Sequence, residues 1–153
     1  MKILHENATS ILLERVKALE PATHCSSWRC IHIALSNKPE RFNHGLRAYF
    51  VARALIRRLR DHDGYLFLCD DGDIFLLFQG PMKPVLKKLE PHFHDIETDL
   101  AGDDDGENRF SVYDLGTDWL NLYTLCCHKR LAERTAPEGF YAAFAYSLDE
   151  VRV

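Results

Sequence analysis

Residues 64–80 constrain the fold more than any other stretch of this chain. Two runs rich in aromatic and aliphatic residues, Tyr-Leu-Phe-Leu-Cys over 65–69 and Asp-Ile-Phe-Leu-Leu-Phe over 73–78, flank Asp70-Asp71-Gly72. Short β-prone runs joined by Asp and Gly predict a β-hairpin, because glycine supplies the positive φ that a tight turn needs. Gly80-Pro81 closes the second strand.

The hairpin sits between segments of helical period. Residues 45–61 place Tyr49, Ala52, Leu55, Ile56 and Leu59 on one face with charge on much of the rest, and His62-Asp63-Gly64 ends that helix. After the hairpin, a helix over 82–93 carries Val85, Leu86 and Leu89 as its apolar stripe. Before the 45–61 helix, residues 29–35 alternate Ile31, Ile33 and Leu35 with Cys30, His32 and Ala34, which predicts a strand partly buried on both faces. Residues 36–41, built around Pro39, read as a loop. Residues 110–114 read as a short strand after the acidic, polar stretch 99–108.

Two more helices bracket this core. Residues 7–19 repeat Ile11, Leu12, Val16 and Leu19 at helical spacing, with Ser10 or Thr9 available as a cap and Pro21 as a stop. Residues 118–133 offer Trp119, Leu122, Tyr123, Cys126 and Leu131 for packing. The aromatic segment after Pro137 fits a strand or a helix equally well. The resulting order is helix, β-α-β-β-α-β, helix. This predicts one α+β domain over 1–153: a ferredoxin-like βαββαβ antiparallel sheet of four strands, with helices packed on one face and N-terminal and C-terminal helices added.

Composition bounds the function. A chain of 153 residues with 46% hydrophobic and 27% charged residues is ordinary for a globular protein. The net charge of −4 gives no global signal for nucleic acid, and no apolar run approaches the roughly 20 residues of a membrane span. Five cysteines, two of them adjacent at 126 and 127, do not suit a secreted disulfide framework, and no signal peptide is visible. The expectation is a cytoplasmic protein with reduced thiols, without a membrane or nucleic-acid partner.

The hairpin turn Asp71-Gly72-Asp73-Ile74-Phe75 resembles the GGDEF signature of diguanylate cyclases, with its second Gly, its Asp and its Phe in register. The apolar strand 75–78, the element order from about 7 to 133, and Asn121-Leu122-Tyr123, where such domains often carry Ala-Leu-Tyr, are similar too. The resemblance implies a cyclase that holds magnesium through the fourth signature residue and an aspartate at the end of the first strand. Here Ile74 has no ligand atom, and the first strand ends Ala34-Leu35-Ser36-Asn37 without a carboxylate. Asp71 replaces the first glycine and would crowd an approaching phosphate. The expectation is a catalytically silent regulatory or protein-interaction module of bacterial signalling, with no cofactor and another protein as partner; a homodimer stays open. The family's Arg-x-x-Asp product-binding motif has an echo in Arg60 and Asp63, two residues too far from the signature. It leaves a second reading: a domain that senses cyclic di-GMP or GTP without turnover.

Other constellations carry a bland and a functional reading side by side. Arg53, Arg57 and Arg60 share one helical stripe, with Arg47 and Arg58 on another side. They form a solvated face or a docking stripe for an acidic or phosphorylated partner, which Lys83, Lys87 and Lys88 would widen. His92 with His94 and Asp95, Cys126 with Cys127 and His128, and His24 with Cys25 and Cys30 lack the paired spacing of a structural zinc site, so no metal is expected. Phe75 and Phe78 lie three apart on a strand and face opposite sides, which argues against an RNA-stacking platform. Asp70, Asp73 and His62 would be the residues of an unrelated active site near the turn.

Overall fold

A computed structural model describes residues 1–20, 27–35, 44–100 and 110–135 of the chain. The side chains of 44–47, 92–100 and 134–135 lie outside that description. So do the loop around Pro39, the end of the first predicted strand at Ser36 and Asn37, the acidic stretch 101–109, and the segment after Pro137.

The elements run β1 (Lys2–Leu4), α1 (Ala8–Ala18), β2 (Trp28–Ile33), α2 (His44–Arg58), β3 (Gly64–Leu68), β4 (Ile74–Gln79), α3 (Met82–Leu100), β5 (Phe110–Asp114) and α4 (Trp119–Thr135). They build an α+β fold around one mixed sheet of five strands in the order β1-β3-β4-β2-β5. The hairpin strands β3 and β4 pair antiparallel, with Gly64 opposite Phe78 and Leu68 opposite Ile74. Strand β4 also pairs antiparallel with β2, and β2 with β5. A short parallel strand is added at the other edge, where β1 runs beside β3.

Two features differ from the sequence expectation. The sheet has five strands, because Ile3 is buried and carries β1 into the edge beside Leu66. A three-residue strand is too short for its period to register in the sequence. The helices also cover both faces of the sheet. Ile31, Ile33, Leu66, Leu68, Ile74, Leu76 and Phe78 face α2 and α3. Cys30, Phe67, Phe75 and Leu77 face α1 and α4. Side chains alternate across a strand, and here both alternating sets are apolar, so each face needs a layer of helices. The flanking helices form that second layer.

Smaller departures have local causes. Helix α1 starts after Asn7, which takes a left-handed conformation and accepts the Ile11 N–H through its backbone carbonyl; neither Ser10 nor Thr9 caps it. Helix α3 continues through Pro91 to Leu100, beyond the predicted end at 93. Leu131, counted as a packing residue of α4, is 60% exposed, whereas Leu122 and Cys126 on the same helix are buried. Gly64, which begins β3 at φ 153°, has no room for a Cβ, since one would sit 2.6 Å from the Leu77 carbonyl oxygen.

Candidate functional site

The hairpin turn begins with ordinary strand pairing. The Cys69 N–H reaches the Asp73 carbonyl, the Gly72 N–H reaches the Cys69 carbonyl, and Gly72 takes φ 93°. This is a three-residue loop in which glycine supplies the left-handed position. The Asp71 side chain folds back, its Oδ1 accepting the Asp73 N–H at 2.9 Å. The turn therefore fixes the direction of the two residues that follow it. Asp73 points to the α1/α4 face and Ile74 to the α2/α3 face.

Asp73 is 2% exposed and sits in a built network. Its Oδ2 accepts from His32 Nε2 at 2.8 Å and from Lys129 Nζ at 2.5 Å. The same ammonium reaches Asp71 Oδ2 at 2.5 Å. An ionised carboxylate only accepts, so the His32 proton on this side resides on Nε2. The His32 ring stacks on Phe75 at 4.3 Å between centroids, and Lys129 Nζ lies 5.9 Å from the centre of the Phe75 ring. Thr9 Oγ1 donates to Glu133 Oε1 one helical turn beyond Lys129. Strand β2, the hairpin turn, α1 and α4 thus meet at one end of the sheet.

The electrostatics follow from burial set against these partners. Burial alone would push the Asp73 carboxyl up; the His32 hydrogen bond and the Lys129 charge outweigh it and hold the pKa well below the usual carboxylate range. Burial would likewise push the Lys129 ammonium down, but the charges of Asp73 and Asp71 raise it above an ordinary lysine. Glu133 is raised by burial, with repulsion from Asp70 and Asp71 adding to it. The Cys30 and Cys69 thiols are raised by burial, and Cys126 is pushed up to about 12 for the same first cause, which leaves all three poor nucleophiles.

The five signature positions have separate fates. Asp71 and Asp73 bind Lys129, Gly72 makes the turn, Phe75 stacks on His32, and Ile74 is fully buried in the core between the sheet and α2. Of the Asn121-Leu122-Tyr123 triplet, Leu122 is buried and Tyr123 stacks on Trp119 at 4.9 Å. Trp119 Nε1 in turn donates to the Val16 carbonyl, which ties α4 to α1.

Arg60 and Asp63 are exposed at the opposite end of β3 from the turn. Five strand residues, about 17 Å of extended chain, separate the two ends. For the same reason His62 does not join Asp70 and Asp73, so the sequence trio of an unrelated active site is not assembled. Asp63 instead borders an open cleft of about 640 Å³ with Lys2, Trp28, Tyr65 and Gln79. Arg57 and Arg60 are exposed and Arg53 is half-buried.

Cys126 is buried while His128 is exposed, so that pair does not converge. His24 and Cys25, and the side chains of His92, His94 and Asp95, lie outside the described residues. Among the described residues no group of three or more His, Cys, Asp or Glu side chains is placed to hold a metal ion. No helix among them is long and apolar enough to cross a membrane.

The sequence reading misses His32, Lys129, Thr9 and Glu133 as members of the site. Lys129 and Glu133 continue the buried stripe of Leu122 and Cys126 at spacings of three and four, so a charge on an apolar helix face was the available signal. Comparison with protein-family models, with curated proteins and with solved structures gives no match for this chain.

Proposed function

We propose that this chain is a catalytically silent, GGDEF-like regulatory or protein-interaction module that works in the cytoplasm of a bacterial signalling system. The observation that carries the reading is the occupation of the turn. The Asp73 carboxylate, the one acidic residue of the signature that is present in register, is buried, with Lys129 as its counter-charge and His32 as its hydrogen-bond partner. A phosphate-bound magnesium ion needs open carboxylate oxygens, and Ile74 directs a hydrocarbon into the core at the position of the second ligand. The order β5-β2-β4-β3, antiparallel throughout, supports a ferredoxin-like core with β1 added at its edge. The free thiols among the described cysteines fit a reducing compartment.

The test is turnover of GTP with magnesium, followed as release of pyrophosphate and formation of cyclic di-GMP. No product above the buffer control is expected, and clear turnover overturns the reading.

One observation favours the second reading, a domain that senses cyclic di-GMP or GTP without turnover. The open cleft beside Asp63 combines two aromatic rings, Trp28 and Tyr65, with the Lys2 cation and the Gln79 amide, and stacking surfaces with a few polar groups suit a planar base. Calorimetric titration separates the two: micromolar affinity for either nucleotide, lost on Arg60→Ala or Asp63→Ala, would replace the interaction reading with this one.

A further inference from the structure

Helix α2 and the first half of α3 carry charge of the opposite sign to the rest of the chain. The sequence stretches 44–64 and 82–91 hold eight Lys and Arg against three Asp and Glu, in a chain whose net charge is −4, while the remainder of α3, 92–100, adds Asp95, Glu97 and Asp99 and no Lys or Arg. Burying the apolar side of both helices against the sheet leaves Arg57, Arg58, Arg60, Lys83, Lys87 and Lys88 exposed. Arg57, Arg60, Lys83, Lys87 and Lys88 are exposed and have no ion-pair partner among the described residues. Arg53 Nε is buried without a hydrogen-bond partner, and so is His62 Nε2 where α2 runs into β3. After burial, the nearby Lys88 charge is the second cause that lowers the His62 pKa, which places α3 cations beside the end of α2.

The stripe also has an apolar anchor. Phe50 is 55% exposed and precedes Arg53 and Arg57 by three and seven residues, so the three share one side of α2, and Arg60 follows two residues past its end. From Phe50 to the end of α2 at Arg58 the helix rises about 12 Å, the length of a three- or four-residue extended segment.

We propose that the α2/α3 face docks an acidic segment of a partner protein that carries one apolar residue, the apolar residue against Phe50 and the carboxylates on Arg57, Arg60 and Lys88. The proposal rests on the interaction-module reading and names the partner's chemistry. Guanidinium forks pair with carboxylates in two-bond geometry, and a positive face on a negative chain orients an approaching acidic segment. The acids Asp61 and Asp63 lie beside the stripe and break the continuous positive path that a nucleic-acid backbone requires. A single exposed phenylalanine is likewise too little apolar surface for a lipid interface.

The experiment is fluorescence anisotropy on the full chain with four probes. These are a labelled eight-residue Asp/Glu peptide containing one leucine, its Asn/Gln counterpart, a single-stranded oligonucleotide, and vesicles containing phosphatidylserine. The acidic peptide is expected to bind, to weaken as salt rises from about 50 to 200 mM, and to lose at least about tenfold in affinity in the Arg57→Glu/Arg60→Glu variant. Phe50→Ala should weaken it several-fold with the salt dependence unchanged. Each mutated side chain is exposed, and a melting curve confirms folding of each variant. Equal binding of the Asn/Gln peptide, unchanged binding by the charge-reversal variant, or tighter binding of the oligonucleotide or vesicles overturns the proposal. Any of these results leaves the catalytically silent reading standing, which only GTP turnover would remove.

Discussion

Replacing Lys129 by methionine tests whether the ammonium closes the hairpin turn. The substitution keeps the length and apolar body of the side chain and removes one charge. In the structure that charge lies 2.5 Å from both Asp71 Oδ2 and Asp73 Oδ2, on a side chain 10% exposed. Without it, Asp73 keeps the His32 hydrogen bond but faces the Asp71 carboxylate in a buried site. Removing one partner of a buried pair costs about 3–5 kcal/mol. The lower end applies here, because the Asp71 side chain is 36% exposed and can regain water. A loss of about 3 kcal/mol corresponds to a fall in melting temperature of roughly 6–12 °C for a domain of this size. Urea unfolding followed by tryptophan fluorescence is the assay, since Trp119 bonds across the α1–α4 contact and changes environment when α4 detaches. Combining Lys129→Met with Asp73→Asn should restore about 2 kcal/mol, the coupling expected of a direct contact. A loss below about 1 kcal/mol with additive double-mutant behaviour would make Lys129 an ordinary surface lysine and remove the argument that it seals the site.

Three further outcomes follow from the same geometry. Ile74→Glu, which supplies the acid found at this position of the signature the turn resembles, should unfold or severely destabilise the protein by at least about 4 kcal/mol and give no cyclase activity, because the position faces the α2/α3 core; a folded variant with GTP turnover would refute that placement. Gly64→Ala should cost about 2–4 kcal/mol in chemical denaturation, since an added Cβ meets the Leu77 carbonyl at a φ that alanine disfavours, whereas Gly80→Ala, at φ 114° but with open space around it, should cost only the backbone strain, about 1–2 kcal/mol. The Lys129→Met penalty should be flat between about pH 5 and 9: Asp73 is depressed, so its contribution is complete above about pH 4 and is lost as pH falls through its folded value, while Lys129 is raised, so its contribution is complete below about pH 10 and is lost as pH rises through its folded value. Melting curves across that range check this, and a penalty that varies within the window would place another titrating group in control.

Much of the architecture was legible because the elements carry strong periods. The α2 stripe of Ala52, Leu55, Ile56 and Leu59 is buried as its spacing indicates, and Phe75 and Phe78 face opposite sides of the sheet as strand geometry requires. The layer count was not legible. A strand apolar on both sides states that both faces are covered without saying by which elements, and β1 offers only Ile3 as a buried residue. Half of the site was readable for a related reason. Asp71 and Asp73 belong to a local turn, where sequence neighbours are spatial neighbours. His32 and Lys129 reach the turn from 41 and 56 residues away along the chain from Asp73, and only the sheet register and the seating of α4 bring them there.

That long-range closure bears on why a buried network that is costly to desolvate persists at this end of the sheet. Well-packed apolar residues could hold α4 on the sheet at equal or greater stability. Apolar contacts, however, tolerate a shift of one helix turn, about 5.4 Å, since the stripe of Leu122 and Cys126 would still meet Phe75 and Leu77. An ammonium that must satisfy two carboxylates does not tolerate it, because moving α4 by one turn leaves Asp73 unpaired in the interior. The cluster therefore selects one seating of α4 against the alternatives that its apolar stripe permits. On this argument, replacing Lys129, Asp73 and His32 together by apolar residues would keep a folded protein of similar melting temperature while broadening the amide signals of α4, and a single sharp set of signals would show that packing alone fixes the helix.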